Sequence, residues 1–150
     1  LKLMGKRITP GIVALADVAG VTDRLEAYHA GYILGPRVNA GGRVGEAALG
    51  SRILATDDPG EAAAIAQRLH AYNHERRAIE AACLEEAIAQ VEGAQEGEIA
   101  TGVSPELVLV HGEGWHPGVI GIVAARLKER YARPACVVAV DGGVGKASGR

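Results

Sequence analysis

Two polar segments late in the sequence carry side chains well suited to binding a phosphate group. The first, residues 115–118 (Trp-His-Pro-Gly), runs directly into an apolar stretch. The second, residues 141–150, is rich in glycine and contains Lys146, Ser148 and Arg150. Ammonium, hydroxyl and guanidinium groups donate to phosphate oxygens, and glycines let a backbone approach a ligand closely. The two segments therefore predict a phosphate-recognition surface.

The residues Lys146, Ser148 and Arg150 alternate, so an extended backbone places their side chains on one face. Such a face suits a terminal phosphate, although an exposed polar edge strand explains the same alternation without a ligand. The segment is not a nucleotide-binding P-loop. Ala147 stands where Ser or Thr would hold magnesium, and Val140 stands where the first glycine belongs.

His116 and Gly118 lie where a predicted strand passes into a predicted helix. In α/β sheets this place is the usual ligand crevice, and the N–H groups at a helix start favour anions. His116 is a candidate for contacting a scissile phosphate or a metal-bound group, and capping of the loop by its ring is the alternative. Gly118 and Gly121 allow the backbone to come close to a ligand.

A third candidate segment, residues 35–45, carries Arg37, Asn39 and Arg43 among glycines and a proline. We expect a loop here, because Gly-Pro ends the preceding helix and Asn-Ala-Gly-Gly is common in turns. Two guanidinium groups on a tight loop can hold a phosphodiester, with Asn39 fixing the loop or a ligand oxygen. Solvated arginines on an ordinary turn remain the open alternative.

The sequence shows no pattern typical of a catalytic metal centre. His70 and His74 are one helical turn apart, but Ala71 occupies the position of the glutamate in His-Glu-x-x-His proteases. Asp57 and Asp58 precede a predicted helix and are better explained as caps. We therefore assign no catalytic or metal-binding residue in this segment.

Composition limits the classes of function. The 150 residues are 48% hydrophobic but only 3% aromatic, so aliphatic side chains must fill the core. A net charge of −2 argues against a generally basic nucleic-acid coat but permits a local basic groove. Cys83 and Cys136 lack metal-type spacing and are expected to be reduced, buried thiols.

The sequence has no apolar run long enough to cross a bilayer and no signal-peptide pattern, which leads us to expect a soluble, cytoplasmic protein. It starts at Leu1 rather than at an initiator, and it stops at Arg150 inside a polar motif. We therefore expect a fragment of a larger protein.

Several elements are predicted in the first part of the chain. Residues 10–20 favour a short helix, Thr22 can cap a second helix that runs to about Leu34, and a helix of about ten residues starts at Glu46. Asp58 is predicted to cap a further helix, with Glu61 closing a capping box.

That further helix is predicted to continue to about Glu92, because no breaker occurs before Gly93. Its apolar seam repeats at three- and four-residue steps: Ala62, Ile65, Leu69, Tyr72, Arg76, Ile79 and Cys83. At 1.5 Å per residue the helix is about 50 Å long, the length of a connector between two lobes.

The last part of the chain predicts a polar linker over residues 92–106, a strand over 107–111, a helix over 119–131 and a parallel strand over 135–140. The fold class is therefore α/β, with a βαβ unit in the second of two lobes.

Four motifs occur in a fixed order along the chain: residues 10–15 (Pro-Gly-Ile-Val-Ala-Leu), 35–43, 115–122 and 146–150 (Lys-Ala-Ser-Gly-Arg). In this order the sequence resembles the bacterial RecJ family, single-strand-specific 5′-to-3′ DNA exonucleases of the Asp-His-His (DHH) phosphoesterase superfamily. The family more often has Ala at position 41 and Gly at position 147, and both departures exchange one small residue for another.

The resemblance implies that residues 1–57 end a DHH-type catalytic lobe, 58–93 form the connecting helix, and 94–150 begin a DHH-associated lobe. It implies two Mn²⁺ or Mg²⁺ ions held by residues outside this segment, so the fragment alone is expected to be inactive.

It further implies that Arg37, Asn39 and Arg43 return to the catalytic cleft, that His116 faces that cleft, and that Ser148 and Arg150 grip the 5′ phosphate of the DNA. Single-stranded DNA with a 5′ end is the implied substrate, in DNA repair and recombination. A helicase and a single-strand-binding protein are candidate partners.

Two other functions stay open. A phosphoesterase of the same superfamily would act on oligonucleotides or cyclic dinucleotides, although the long helix and the Arg-Val-Asn-Ala segment disfavour it. A nucleic-acid-binding scaffold without catalytic activity would keep the architecture and lack the metal ligands.

Overall fold

The computed structural model describes residues 9–93 and 106–150, so most of the predicted linker lies outside the described residues. The helical elements are α1 (Pro10–Val18), a π-helix (His29–Leu34), α2 (Gly35–Val44), α3 (Ala48–Ala55), α4 (Pro59–Gly93) and α5 (Ile120–Tyr131), and the strands are β1 (Val108–Glu113), β2 (Ala135–Asp141) and β3 (Val144–Gly149). The chain divides into two compact units, Leu1–Arg76 and Arg77–Arg150, and the boundary along the sequence falls within α4. The α/β fold class is confirmed.

The first unit is helical and encloses an aliphatic core. Leu15 of α1, Ile53 of α3 and Leu69 of α4 are completely buried. Other members of this core are Ala16, Leu25, Leu34, Leu49, Ile65 and Ala66. The predicted seam of α4 supplies Ile65 and Leu69, which confirms that spacing of three and four residues marks its packed face.

The prediction of a loop over residues 35–45 is wrong, because the structure has helix α2 there. Pro36 is the second residue of α2, and the π-helix directly before it continues the helical backbone, so its missing N–H removes one helical hydrogen bond. Gly41 is a packing residue rather than a turn residue. A Cβ atom at this position would lie 2.5 Å from the Glu46 carbonyl oxygen and 3.2 Å from Cδ2 of Leu69.

The helix expected from Thr22 to Leu34 is wrong at both ends. Helical backbone begins at Ala27 and passes through the π-helix into α2 without a stop at Gly35. Nδ1 of His29 accepts the backbone N–H of Glu26 at 3.0 Å. The His29 side chain thus bonds to a backbone N–H three residues earlier, as the glutamate of a capping box does. The helix therefore starts later than the prediction from Thr22.

Helix α4 begins as predicted, with Oδ1 of Asp58 accepting the N–H groups of Gly60 at 2.7 Å and Glu61 at 3.3 Å. The expected capping box is wrong. Glu61 instead accepts hydrogen bonds from the Thr56 hydroxyl and the Arg52 guanidinium. α4 is helical throughout Pro59–Gly93, where this described part of the chain stops, so its predicted length of about 50 Å is confirmed and its end at Gly93 stays a prediction.

The second unit contains the predicted strand–helix–strand unit. β1 and β2 are parallel, with Val110 opposite Val137, and both residues are fully buried. β3 then returns antiparallel to β2. The hairpin turns at Gly142 and Gly143, whose φ angles of 55° and 81° favour glycine at both central positions.

The two cysteines differ in burial. Burial raises the pKa of the Cys83 thiol to about 11, so this side chain behaves as a small apolar core residue. Cys136 is only half-buried, and the expectation of two buried thiols therefore holds for Cys83 alone. No helix among the described residues is long and apolar enough to span a membrane.

Replacing Asp58 with Ala removes the acceptor for two N–H groups at the start of α4. We expect a loss of about 1 kcal/mol in the free energy of unfolding, the usual cost of losing an N-cap. Urea denaturation of the intact protein measures it. Asp57→Ala, which changes the adjacent exposed carboxylate, is the matched control, and an equal loss in both variants would contradict the cap assignment.

Candidate phosphate-binding site

The alternation predicted for residues 146–150 is present in β3. Lys146 pairs with Ala139 of β2 and Ser148 with Val137, and both partners are buried. Side chains opposite each other on neighbouring strands point to the same side of a sheet. Lys146 and Ser148 therefore lie on the face of the sheet that α5 covers.

The first turn of α5 packs against the end of this face. A Cβ atom at Gly121 would lie 3.0 Å from Oγ of Ser148 and 3.2 Å from Nη2 of Arg150. The N-cap residue, Val119, offers no side-chain hydrogen bond to the helix start. A hydroxyl, a guanidinium and the positive end of a helix thus converge, which is an arrangement that favours an anion.

A pocket of about 400 Å³ opens beside this point. It is lined by Gly114, Trp115, His116, Pro117, Ala139, Asp141, Val144 and Lys146. The fold therefore brings His116 and Lys146, which are distant in sequence, to the same pocket. Both sequence segments that predicted phosphate recognition contribute to its wall.

His116 also caps the turn that precedes α5. Its Nδ1 accepts the backbone N–H of Gly118 at 3.0 Å. In the neutral ring the proton then resides on Nε2, which makes Nε2 a hydrogen-bond donor. The capping alternative describes the observed contact, and it is compatible with donation by Nε2 to a ligand.

The three polar residues predicted around position 40 lie on helix α2 in the first unit. Asn39 and Arg43 are exposed and one turn apart, so they share one helix face. Arg37 is half-buried and donates from Nη1 to the Ile33 carbonyl oxygen at 2.6 Å. The two arginines therefore do not form a pair on a tight loop, and a substrate-binding role for all three stays a prediction.

Arg37 begins a chain of side-chain hydrogen bonds that the sequence did not reveal. Its Nε donates to Nδ1 of His70 at 3.2 Å, and Nε2 of His70 lies 3.0 Å from Nε2 of His74. Since Nδ1 accepts, the proton of His70 resides on Nε2 and points to His74. The two histidines whose spacing suggested half of a zinc site instead position Arg37.

The environment of His70 disfavours its charged form. Partial burial lowers the pKa of His70 below its ordinary value, and the positive charge of Arg37 and the neighbouring His74 lower it further. The neutral ring is the form that accepts the hydrogen bond from Arg37.

The described residues do not supply a metal centre. Across residues 9–93 and 106–150, no group of three or more histidine, cysteine or acidic side chains is placed to hold an ion. Lys146, Ser148 and Arg150 are cationic or hydroxylic donors, which suit phosphate oxygens rather than a divalent cation, and Asp141 is the one carboxylate among the residues that line the pocket.

Comparison with known proteins identifies the family of the chain. The chain is 38% identical over 151 residues to the single-stranded-DNA-specific exonuclease RecJ of Escherichia coli K12, covering 99% of this chain and 26% of that protein. RecJ of Thermus thermophilus is 38% identical over 129 residues, which cover 86% of this chain and 18% of the relative. The chain belongs to the RecJ family. No protein-family model matches it.

Solved RecJ structures share the fold. RecJ of Thermus thermophilus in complex with Mn²⁺ matches 91% of this chain and 19% of that chain, with a TM-score of 0.72 and 33% identity. An exonuclease RecJ bound to manganese matches 96% of this chain and 34% of that chain, with a TM-score of 0.74 and 32% identity. In sequence, this chain spans about a quarter of the length of the Escherichia coli relative.

Sequence reasoning missed residues in each of the two units. Trp115 and Asp141 line the pocket, and His70 orients Arg37. Trp115 is the single tryptophan of the chain and stands directly before His116, which is a signal in the sequence. Nothing in the sequence links His70 to Arg37, because the contact joins residues 33 positions apart.

Gly121→Ala tests the contact between α5 and β3. The added methyl group would meet the flexible ends of Ser148 and Arg150, so stability should change little while the two donors move apart. We expect binding of a 5′-phosphorylated single-stranded oligonucleotide to weaken about tenfold, measured by fluorescence anisotropy. Ala125→Gly, a change of similar size further along α5, is the control. Unchanged affinity in Gly121→Ala would contradict the site.

The lowered pKa of His70 predicts a dependence of stability on pH. The unfolded chain, where His70 titrates near 6.5, binds more protons than the folded chain in the window just below that pH. The free energy of unfolding should therefore fall as the pH drops below 6.5 through the lower folded pKa. His70→Gln should flatten this slope in urea denaturation. Identical slopes in wild type and His70→Gln would contradict the prediction.

Proposed function

We propose that the chain is the substrate-handling part of a metal-dependent exonuclease that hydrolyses single-stranded DNA from its 5′ end. The observation that carries this proposal is the convergence of Ser148 and Arg150 with the first turn of α5. A terminal phosphate carries more negative charge than an internal phosphodiester, so clustered donors favour a strand end. Membership of the RecJ family supports the same activity.

The pocket next to the two donors extends the proposed contact beyond the phosphate. Lys146 and His116 line a space of about 400 Å³, which is large enough for the sugar and base of one nucleotide. Lys146 offers an ammonium group and His116 offers its Nε2 proton. Both groups would contact the backbone of the strand near its end.

Helix α2 supplies the second set of proposed contacts. Asn39 and Arg43 present an amide and a guanidinium from one exposed helix face. Arg37, held by Ile33 and His70, would orient rather than grip the strand. Binding to phosphates by such residues weakens as salt rises, because counterions compete for the backbone.

The hydrolytic step needs groups that the described residues do not provide. We propose that Mn²⁺ or Mg²⁺, as in the solved RecJ structures, is held by residues outside this chain and activates the attacking water. The role of this chain is to hold the end of the DNA strand at a fixed distance from the metal ions. The hydrolysis then takes place within one positioned complex instead of requiring a bimolecular encounter.

The proposed setting follows from the activity. A nuclease that degrades single strands in DNA repair and recombination would work in the cytoplasm. There it would act with a helicase that unwinds duplex DNA and with a single-strand-binding protein that covers the product.

Arg150→Ala in the intact protein tests the proposed 5′-end site. Loss of the guanidinium should raise KM for a 5′-phosphorylated oligonucleotide about tenfold and leave KM for a 5′-hydroxyl oligonucleotide within about twofold. Steady-state cleavage of both substrates measures the two ratios.

Lys128→Ala is the matched control, because it removes the same charge from an exposed position in the last turn of α5. Lys128→Ala should raise KM slightly and by the same factor for both substrates. If the wild-type protein cleaves phosphorylated and hydroxyl ends with equal KM, the proposed site does not recognise the terminal phosphate.

A further inference from the structure

The outer edge of β1 is paired with a side chain of α4. In the sheet order β1-β2-β3 of the described strands, β1 lies at an edge. Gln90 donates from Nε2 to the carbonyl oxygen of His111 at 2.7 Å, and its Oε1 accepts the N–H of His111 at 3.2 Å. The amide of one side chain therefore binds both backbone groups of one residue, as a neighbouring strand would.

One helical turn earlier on α4, Glu86 holds the residue next to His116. Nε1 of Trp115 donates to Oε2 of Glu86 at 2.7 Å, and Trp115 is only 7% exposed. The indole ring lies over Gly112, where a Cβ atom would come within 2.4 Å of three ring atoms. Glu86 thus fixes the rotation of a large ring that is packed on the end of β1.

These contacts bracket the turn that leads to the phosphate site. Gln90 fixes His111 before the turn, and Glu86 fixes Trp115 within it. Only residues 116–119 then separate Trp115 from the start of α5. His116 lines the pocket and caps this turn. A shift of Trp115 therefore directly moves the groups that are proposed to bind the ligand.

We propose that Glu86 and Gln90 are positioning residues that set the place of His116 and of the N-terminal end of α5 for substrate binding. The inference rests on the proposed function, because its readout is recognition of the strand end. Neither residue touches the pocket, so each acts through a partner: Glu86 through Trp115, and Gln90 through the backbone of His111.

A general role in holding the unit together is the competing explanation, and other contacts already serve it. Glu92 of α4 accepts hydrogen bonds from Arg130 at 2.9 Å and from Tyr131 at 3.3 Å, near the far end of α5. Those contacts attach the last turn of α5, whereas Glu86 and Gln90 act at the turn before its first residue. Their loss should therefore affect substrate binding more than stability.

A double-mutant cycle on the intact protein tests the Glu86 contact. Glu86→Ala and Trp115→Phe should each raise KM for a 5′-phosphorylated single-stranded oligonucleotide about tenfold, with kcat within about twofold. The double variant should be no worse than either single variant, because both changes remove the same hydrogen bond. Glu86→Gln keeps an acceptor oxygen and should restore KM to within about twofold of wild type.

Gln90→Leu gives an independent readout. Hydrogen–deuterium exchange should become faster in the peptide that contains His111, while the melting temperature changes by only a few degrees. Glu85→Ala, on the exposed neighbour of Glu86, is the matched control and should leave both KM and exchange unchanged.

Additive effects of Glu86→Ala and Trp115→Phe, or failure of Glu86→Gln to restore KM, would overturn the proposal for Glu86. Unchanged exchange at His111 in Gln90→Leu would overturn it for Gln90. These outcomes are distinct from failure of the proposed function. In that case the wild-type protein itself would not distinguish phosphorylated from hydroxyl ends.

Discussion

The second unit depends on the parallel pairing of β1 with β2. Parallel strands need a connection that crosses from one end of the sheet to the other, and α5 provides it. The helix must then begin beyond the carboxyl end of β1. Gly121 is the residue at this start that permits contact with β3, since any side chain there would displace Ser148 or Arg150. Ser148 and Arg150 lie against the helix start because this topology brings α5 back across the sheet face that they share.

Polar side chains fix the orientation of donor groups in each of the two units. His70 accepts from Arg37 in the first unit, and Glu86 accepts from Trp115 in the second. Each partner lies on α4, so one helix supplies acceptors within both units. Hydrogen bonds of this kind add little net stability, but a half-buried donor without a partner is costly. Their main effect is to limit the conformations of the side chains they hold.

The sequence was informative where local rules agree with packing. The start of α4 at Asp58 and its apolar seam follow from capping and periodicity, and both are observed. The alternation of Lys146 and Ser148 was likewise sufficient to place them on one face of β3. In these segments the backbone conformation is set by residues only a few positions apart.

Local rules failed for residues 35–45, where glycine and proline suggested a loop. Pro36 usually ends or kinks a helix, yet the helical backbone continues through it here, because the packing of this segment outweighs the cost of one lost hydrogen bond. Gly41 is small because the Glu46 carbonyl oxygen and Leu69 occupy the space beside it, and Leu69 is distant in sequence. The same limitation hid the contact between His70 and Arg37.

The sequence by itself determined the α/β class, the long helix, the parallel strands and the residue types of the candidate phosphate site. Periodicity, capping and donor chemistry are properties of short segments, and a single chain displays them directly. Only the tertiary structure decided that residues 35–44 are helical, that His116 and Lys146 share a pocket, and that Trp115 is held by Glu86. Those facts depend on contacts between residues far apart in the chain, whose partners are selected by packing.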